Sequence, residues 1–406
     1  MSLEGTSCEN SPSTATSTLP DPEHPLVFLA YHGGPFYEMQ RRLSMLRDSA
    51  LMAGQRTLVF VSLAWFVPLL LSLSSTLSLE PGAFIMDPGA WAKFLIAISA
   101  FVLAEQQVEL GLSLKLEQFV KAPLIAPTSL PAAADALATA LRRRNSGIAE
   151  GCCLAFGVLL SVIAHRGISP MSTWSVDVFS DGSRITLAGW WSLFVSLPLF
   201  GFLLLRGLWR HLVWALLLRR IAALDLRLVS THPDGRGGLA FLSEYPNAYV
   251  LFVLGISAAM AAGIARHIAH ETISIATLSS IMGGWLIIVL ASFYFPLSAF
   301  SKPLSVLKEK SLLVLSTEAT LFQRAAERTA VGKNVAANAP EEAEDPVEAA
   351  DVTKQFEATR KLSITLIDRS AVLPVSVAAL LPFALVGVMK LPFKDVISVL
   401  KKLLLL

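Results

Sequence analysis

The chain has 406 residues, 54% of them hydrophobic and 16% charged, with a mean hydropathy of +0.59. That balance excludes an ordinary soluble domain, and a net charge of +2 excludes the strongly basic field of a nucleic-acid binder. The three cysteines, Cys8, Cys152 and Cys153, are too few and too poorly spaced for a disulfide framework or a zinc site.

Residues 1–24 are rich in Ser, Thr, Pro and Glu and lack the apolar stretch of a signal peptide, so they read as a disordered tail. Residues 25–56 form a juxtamembrane segment. Within it, His32-Gly33-Gly34-Pro35 leads into a helix with Phe36, Met39, Leu43 and Leu46 at three- and four-residue spacing. Arg41, Arg42 and Arg47 of that helix are available to headgroups, and it is expected to run on into the first crossing. Seven apolar runs follow: Thr57–Leu79, Trp91–Leu110, Gly147–His165, Leu187–Leu205, Asn247–Ala265, Ser279–Phe300 and Ala371–Met389. Each is near the ~20 residues a helix needs to cross the hydrocarbon. The expected fold is all-α, a polytopic bundle of about seven transmembrane helices with a cytoplasmic helical hairpin. Six crossings fill 57–300, a helical insertion with a flexible break fills 301–370, the last crossing is 371–389, and 390–406 is an amphipathic tail.

Lys and Arg alternate between the loops. Arg41, Arg42, Arg47 and Arg56 precede the first run, and the next loop has only Lys93. Lys115, Lys121, Arg142, Arg143 and Arg144 mark the third segment, and Arg166 and Arg184 the fourth. Six arginines from Arg206 to Arg236 lie in the fifth, only Arg266 in the sixth, and Lys302, Lys308 and Lys310 open the seventh. The alternation places the N-terminus in the cytoplasm of a bacterial cell, at the inner membrane, with the C-terminus outside. Lys390, Lys394, Lys401 and Lys402 in the tail run against that pattern.

In the second run, Trp91–Ala104 is too short to cross, so its helix must carry Glu105 and Glu109 toward the inner leaflet on one face. Ionisable groups there are candidates for a cation or proton site, or else they snorkel to water. Pro123, Pro127 and Pro131 punctuate the next loop, and a helix over Ala132–Arg144 returns to the membrane. Gly147, Gly151 and Ala155 in the third run, and Gly255, Ala259 and Gly263 in the fifth, form small-residue stripes suited to close helix packing. Alternating Trp174, Val176 and Val178 before Asp181-Gly182 predict a small β-hairpin. Within the seventh segment, helices are expected from Lys302 to about Thr329 and over Val347–Leu366. Pro68, Pro198, Pro296, Pro374 and Pro382 fall inside crossings and free backbone carbonyls there.

The fourth run continues through Trp209 and Trp214 to Leu224. On a helical wheel Arg206, Arg210, Arg220 and Arg227 share one face, and Arg219 lies elsewhere. The loop Thr231-His232-Pro233-Asp234-Gly235-Arg236-Gly237-Gly238-Leu239 follows directly. Its glycines permit a nest of backbone N–H groups, so the stripe with His232, Asp234 and Arg236 is a candidate site for a phosphate or carboxylate. The plainer reading is a helix stop and a capped turn, with anionic lipid headgroups neutralising the arginines. His232-Pro233-Asp234 also resembles the tripeptide of J-domain co-chaperones, but the Leu- and Trp-rich helix before it is the wrong context. His267, His270 and Glu271 supply too few ligands for a metal. No cofactor fingerprint, nucleophile elbow or Walker loop is present, so no catalytic residue is assigned.

Several motifs recur together: Gly33-Gly34-Pro35 with Arg41-Arg42-Leu43, Ala188-Gly189-Trp190-Trp191 with Ser196-Leu197-Pro198-Leu199, Leu224-Asp225-Leu226-Arg227-Leu228 running into the His-Pro-Asp-x-x-Gly-Gly-Leu loop, and Leu380-Leu381-Pro382. This set resembles a family of uncharacterised bacterial multi-pass inner-membrane proteins, over most of the chain after about residue 33. The resemblance implies location and helix count, and brings no activity. Two functions are therefore favoured over a third, a membrane enzyme, for which the sequence offers no nucleophile or metal set. One is carriage or conduction of a small anionic solute past the arginine stripe. The other is a non-catalytic sensor or assembly scaffold that contacts anionic lipids and binds a protein partner at 301–370.

Overall fold

The computed structural model describes residues 28–46, 51–74, 83–167, 174–179, 182–270, 274–336, 350–389 and 391–405. The expected tail at 1–24, the turn residue Asp181 and most of the break before Pro346 lie outside them. In chain order the elements begin with α1 (Pro35–Arg42), α2 (Ala53–Leu73), α3 (Pro88–Lys121), α4 (Leu130–Arg144) and α5 (Gly147–Gly167). The strands β1 (Val176–Phe179) and β2 (Gly182–Ile185) come next, then α6 (Leu187–Ala222), α7 (Ala240–Ala265) and α8 (Ile275–Val331). The chain closes with α9 (Thr353–Lys361), α10 (Arg369–Val388) and α11 (Phe393–Leu405). Among the described residues, α2, α3, α6, α7, α8 and α10 are long and apolar enough to cross a membrane. The pair α4–α5, bent by 41°, makes a seventh span when counted as one. The protein is thus an all-α polytopic membrane bundle.

Two of the crossing prolines explain how three spans are tied. Pro68 has no N–H to offer the carbonyls of Leu63 and Ala64, five and four residues before it, and the helix relaxes into a π-helical turn over Ser62–Phe66. Both carbonyls are taken up by α6: Trp191 Nε1 donates to Leu63 O at 2.8 Å and Ser196 Oγ to Ala64 O at 2.8 Å. The same device repeats in α6, where Ser192–Ser196 is π-helical before Pro198. Ser161 Oγ of α5 donates to Leu193 O at 2.6 Å. Three of the carbonyls beside these prolines thus become acceptors of interhelical hydrogen bonds, the economical solution in lipid.

The expected small-residue stripe of α5 is not its packing face, and that of α7 packs only at Gly255 and Ala259. Gly151 and Gly263 face open space, and Gly147 meets only the Pro35 ring. Of these six positions Gly255 does pack tightly, against Phe101 and Ala100. α5 turns Glu150, Cys153, Gly157 and Ser161 inward instead. Its backbone closes on α6 at Gly201, where an added Cβ would stand 2.9 Å from Gly157 Cα. A buried carboxylate on α5 has to face its counter-charges, and that fixes which side of the helix points in.

Other boundaries also differ from expectation. α1 stops at Arg42, with Ser44 at φ 56°, rather than running into α2. α3 continues to Lys121, so Glu105 and Glu109 lie well inside it. The expected helix over Val347–Leu366 is reduced to α9, because Ser363 leaves helical geometry and donates its N–H to Gly235 O at 2.9 Å. The β-hairpin forms as expected, pairing Val176 with Ile185.

The two ends of the bundle are tied differently. At one end, Trp174 Nε1 donates to Asp87 Oδ2 at 2.9 Å beside the β-hairpin. At the other, the α3–α4 and α6–α7 loops zip together: Ala126 N donates to Asp225 O at 3.0 Å and Arg227 N to Leu124 O at 2.7 Å. From this second end α8 runs on past its membrane segment as an arm, Ser301–Val331, on whose base α9 packs.

Candidate functional site

Residues 28–36 do not lie on the surface. Phe28, Ala30 and Tyr31 are buried, and the segment threads between α3, α5 and α6. Gly33 and Gly34 make this possible. Both have positive φ, 104° and 95°, and a Cβ on Gly34 would stand 2.9 Å from Glu150 Oε1. Only glycine passes so close to charged side chains without strain.

Around this segment five charged side chains alternate in sign. Arg56 of α2 pairs with Glu105 Oε2 of α3. Arg206 of α6 spans two carboxylates, with Nη1 at 2.5 Å from Glu105 Oε1 and Nε at 3.0 Å from Glu150 Oε1. Arg210 Nη2 lies 2.8 Å from the same Glu150 oxygen and donates to Gly33 O at 3.1 Å. Glu150 Oε2 accepts from Phe36 N at 2.8 Å. All five side chains are at most 4% exposed. The rings of Tyr31 and Phe36 flank the Arg206 guanidinium, their centroids 5.2 and 5.1 Å from its carbon.

Glu109, one turn beyond Glu105, fastens the threaded segment itself. Its Oε2 accepts from Tyr31 N at 2.8 Å and His32 N at 3.1 Å, and its Oε1 lies 2.6 Å from His32 Nδ1. Arg144 donates to Leu29 O and, at 2.9 Å, to Asn145 Oδ1. Burial, and then the nearby Glu105 carboxylate, push the Tyr31 phenol well above its usual range, so it stays neutral.

The arginine face therefore divides. Arg206 and Arg210 are buried and ion-paired, whereas Arg220 and Arg227 are exposed and do not join them. Glu105 and Glu109 do not snorkel to water; both are buried against groups of the chain itself. Arg219, off that face, lies over the Phe295 ring at 4.0 Å.

The glycine loop is closed in the same manner. Asp234 Oδ1 accepts from Arg236 N at 2.8 Å and Gly238 N at 3.1 Å, and Oδ2 accepts from Ala240 N at 3.0 Å. His232 Nδ1 lies 2.8 Å from Asp234 Oδ1. Burial alone would raise the Asp234 carboxyl, but the donated N–H groups of Arg236, Ala240 and Gly238 outweigh it and hold the group below its ordinary value. Gly235, Gly237 and Gly238 all have positive φ, which is what lets three N–H groups converge on one side chain. Arg236 reaches across to Ile367 O at 3.2 Å and Asp368 at 3.5 Å, fastening the loop to the start of α10. The N–H nest holds a carboxylate, and that carboxylate belongs to the chain.

Arg56, Glu150, Tyr31 and His32 are the cluster members that the arginine face does not reveal. The available signal was Glu150, a lone carboxylate inside the third apolar run. No group of three or more His, Cys, Asp or Glu suited to a metal occurs among the described residues, and the side chains of His267, His270 and Glu271 lie outside them.

Fold and cluster together define a polytopic helical membrane protein whose buried charges are paired with one another. The chain matches no family model, no curated protein and no solved structure.

Proposed function

We propose that the protein is a non-catalytic scaffold of a bacterial inner membrane, docking a helical segment of a cytoplasmic partner protein along its arm. The observation that carries this is the 57-residue helical run α8, which joins a membrane span to the arm through one 3-10 turn at Ser298–Phe300. Leu313, Val314 and Val331 on the arm are 73%, 62% and 58% exposed. Val314 and Leu321, seven residues apart, share a face of the arm with Leu313 at its edge, the spacing against which a second amphipathic helix packs. α9 packs near the base, where Lys308 Nζ donates to Leu362 O at 2.7 Å. Carriage of an anion would need guanidinium groups open to water, and Arg206 and Arg210 are committed to Glu105 and Glu150. The basic loops support a cytoplasmic N-terminus and arm, with Arg219, Arg220 and Arg227 facing anionic headgroups on that side and α11 at the outer face.

The test places a photo-crosslinking residue at Val314 or Val331 in living cells. One discrete protein adduct at both positions, identified by mass spectrometry and abolished by Leu313→Glu with Leu321→Glu, is the expected result. Adducts only to lipid or to a second copy overturn the docking reading. Threading is tested separately: an impermeant maleimide outside intact cells labels Met86→Cys and not Lys333→Cys.

A further inference from the structure

The second feature that the charge cluster and the arm leave unused is a groove on the membrane-facing side. It lies between α3, α7 and α10 and encloses about 550 Å³, within the ~300–1,000 Å³ range of ligand pockets. Its floor is made by Ala258, Ala261 and Ala262 of α7, all buried. Its rims are Ile96 of α3 on one side and Leu385 and Met389 of α10 on the other, all substantially exposed. Small residues beneath and large ones at the edges are what make the surface concave. Trp91–Ala97 of α3 is π-helical along one wall, and Pro382 interrupts the ladder of α10 on the other.

The groove has a direction. It begins at Pro88, Ala265 and Met389, which stand at the ends of their spans on the β-hairpin side, and reaches Ile96, Leu254 and Leu381. From Pro88 to Ile96 the helix rises about 12 Å at 1.5 Å per residue. That is most of one leaflet of a hydrocarbon core about 30 Å thick. The lining side chains carry no charge.

We propose that this groove is a binding site for one hydrocarbon chain of a membrane lipid, entering sideways from the leaflet on the β-hairpin side. Three properties single out that occupant. The site opens at the membrane boundary, where a lipid headgroup sits. It runs along the spans, parallel to a lipid chain, and it ends inside the bundle near mid-depth. Lipid offers no hydrophobic drive against lipid, so retention comes from dispersion contacts. A chain seated in the groove meets protein on three sides, whereas a chain on a flat helix face meets it on one. The outer face of α5, with Phe156 and Leu160 exposed, is such a flat comparison surface.

The experiment uses full-length protein in vesicles of phosphatidylethanolamine and phosphatidylglycerol, with a trace of phosphatidylethanolamine bearing a diazirine midway along one chain. After photolysis, labelled peptides are mapped by mass spectrometry. Label is expected to concentrate on 254–265 and 381–389 over 154–163 of α5. Ala262→Phe, which fills the floor, is expected to reduce groove labelling to the α5 level. Leu385→Ala removes a rim from a side chain already 63% exposed, so it leaves the fold intact and is expected to have the same effect. Equal labelling of groove and α5 in the wild-type protein overturns the proposal, as does labelling unchanged in Leu385→Ala. A crosslink from the groove to a second copy of the chain assigns it to an oligomer interface and overturns the proposal equally.

Discussion

Replacing Glu150 with Gln tests the cluster at its most connected point. The carboxylate accepts from Arg206, Arg210 and the Phe36 N–H, and its side chain is 4% exposed. Gln keeps the size but presents an amide nitrogen where a donor already points. With its amide oxygen toward the arginines, the NH2 opposes the Phe36 N–H; as counter-charge Arg206 then retains Glu105 alone, and Arg210 has only the neutral Gly33 carbonyl and amide oxygen. Two buried cations lose a counter-charge they cannot recover from water. Breaking such a pair from one side costs about 3–5 kcal/mol, more than the pair contributes over an apolar substitute. The assay is reversible unfolding in mixed detergent–SDS micelles, followed by circular dichroism. Arg210→Met and the double variant complete a cycle. The double variant is expected to be less destabilised than the sum of the singles, by about 0.5–3 kcal/mol, because the second change removes a charge the first left unpaired. A Glu150→Gln protein within about 0.5 kcal/mol of wild type, the range of an inconsequential surface change, refutes the reasoning.

Gly34→Ala meets both a positive φ and the Glu150 carboxylate, and is expected to cost about 1–3 kcal/mol; trypsin then cuts at Arg41 and Arg42 sooner than in wild type. Ser196→Ala strips the Ala64 carbonyl of its donor in an apolar setting, with an expected loss of about 1–3 kcal/mol in the same SDS unfolding; Ser196→Thr retains most of it. Asp234 has a folded pKa below its unfolded value, near 3.9, so its stabilisation is fully present above that value and is lost as the pH falls through the folded one. Hydrogen exchange at Gly238 and Ala240, corrected for intrinsic rates, is expected to accelerate under acid in wild type. In Asp234→Asn it should be fast at every pH, and an acid transition surviving in that variant would assign it to another group.

The spans were readable because a run of apolar residues near twenty long has few other uses. Pro68 and Pro198 were readable as breaks, but the donors that repair them, Trp191, Ser196 and Ser161, sit on other helices at separations no local pattern spans. The arginine face shows a second limit. A helical wheel gives azimuth and discards height, and Arg206 and Arg220 are fourteen residues apart, about 21 Å along the axis. They share a direction without sharing a place. Glu150 was hidden for a simpler reason: it stands near the start of its run, where a flanking carboxylate ordinarily touches water. The glycines of the N-terminal segment mark a turn in the sequence, but not what the turn must avoid.

The threaded segment also imposes an order on assembly. Residues 28–36 leave the ribosome before every membrane span, yet Phe36 and Gly33 bond to Glu150 and Arg210, 114 and 177 residues downstream. Glu105 enters the bilayer with Arg56 already made, 49 residues before it. Glu150 has no such escort, because Arg206 follows it by 56 residues. At about 5–20 residues per second that gap is about 3–11 s. During it the carboxylate lacks its counter-charges, so α5 settles into place only when α6 arrives. A segment made before the spans is then seated after them, closing the bundle from the inside once both arginines are in position.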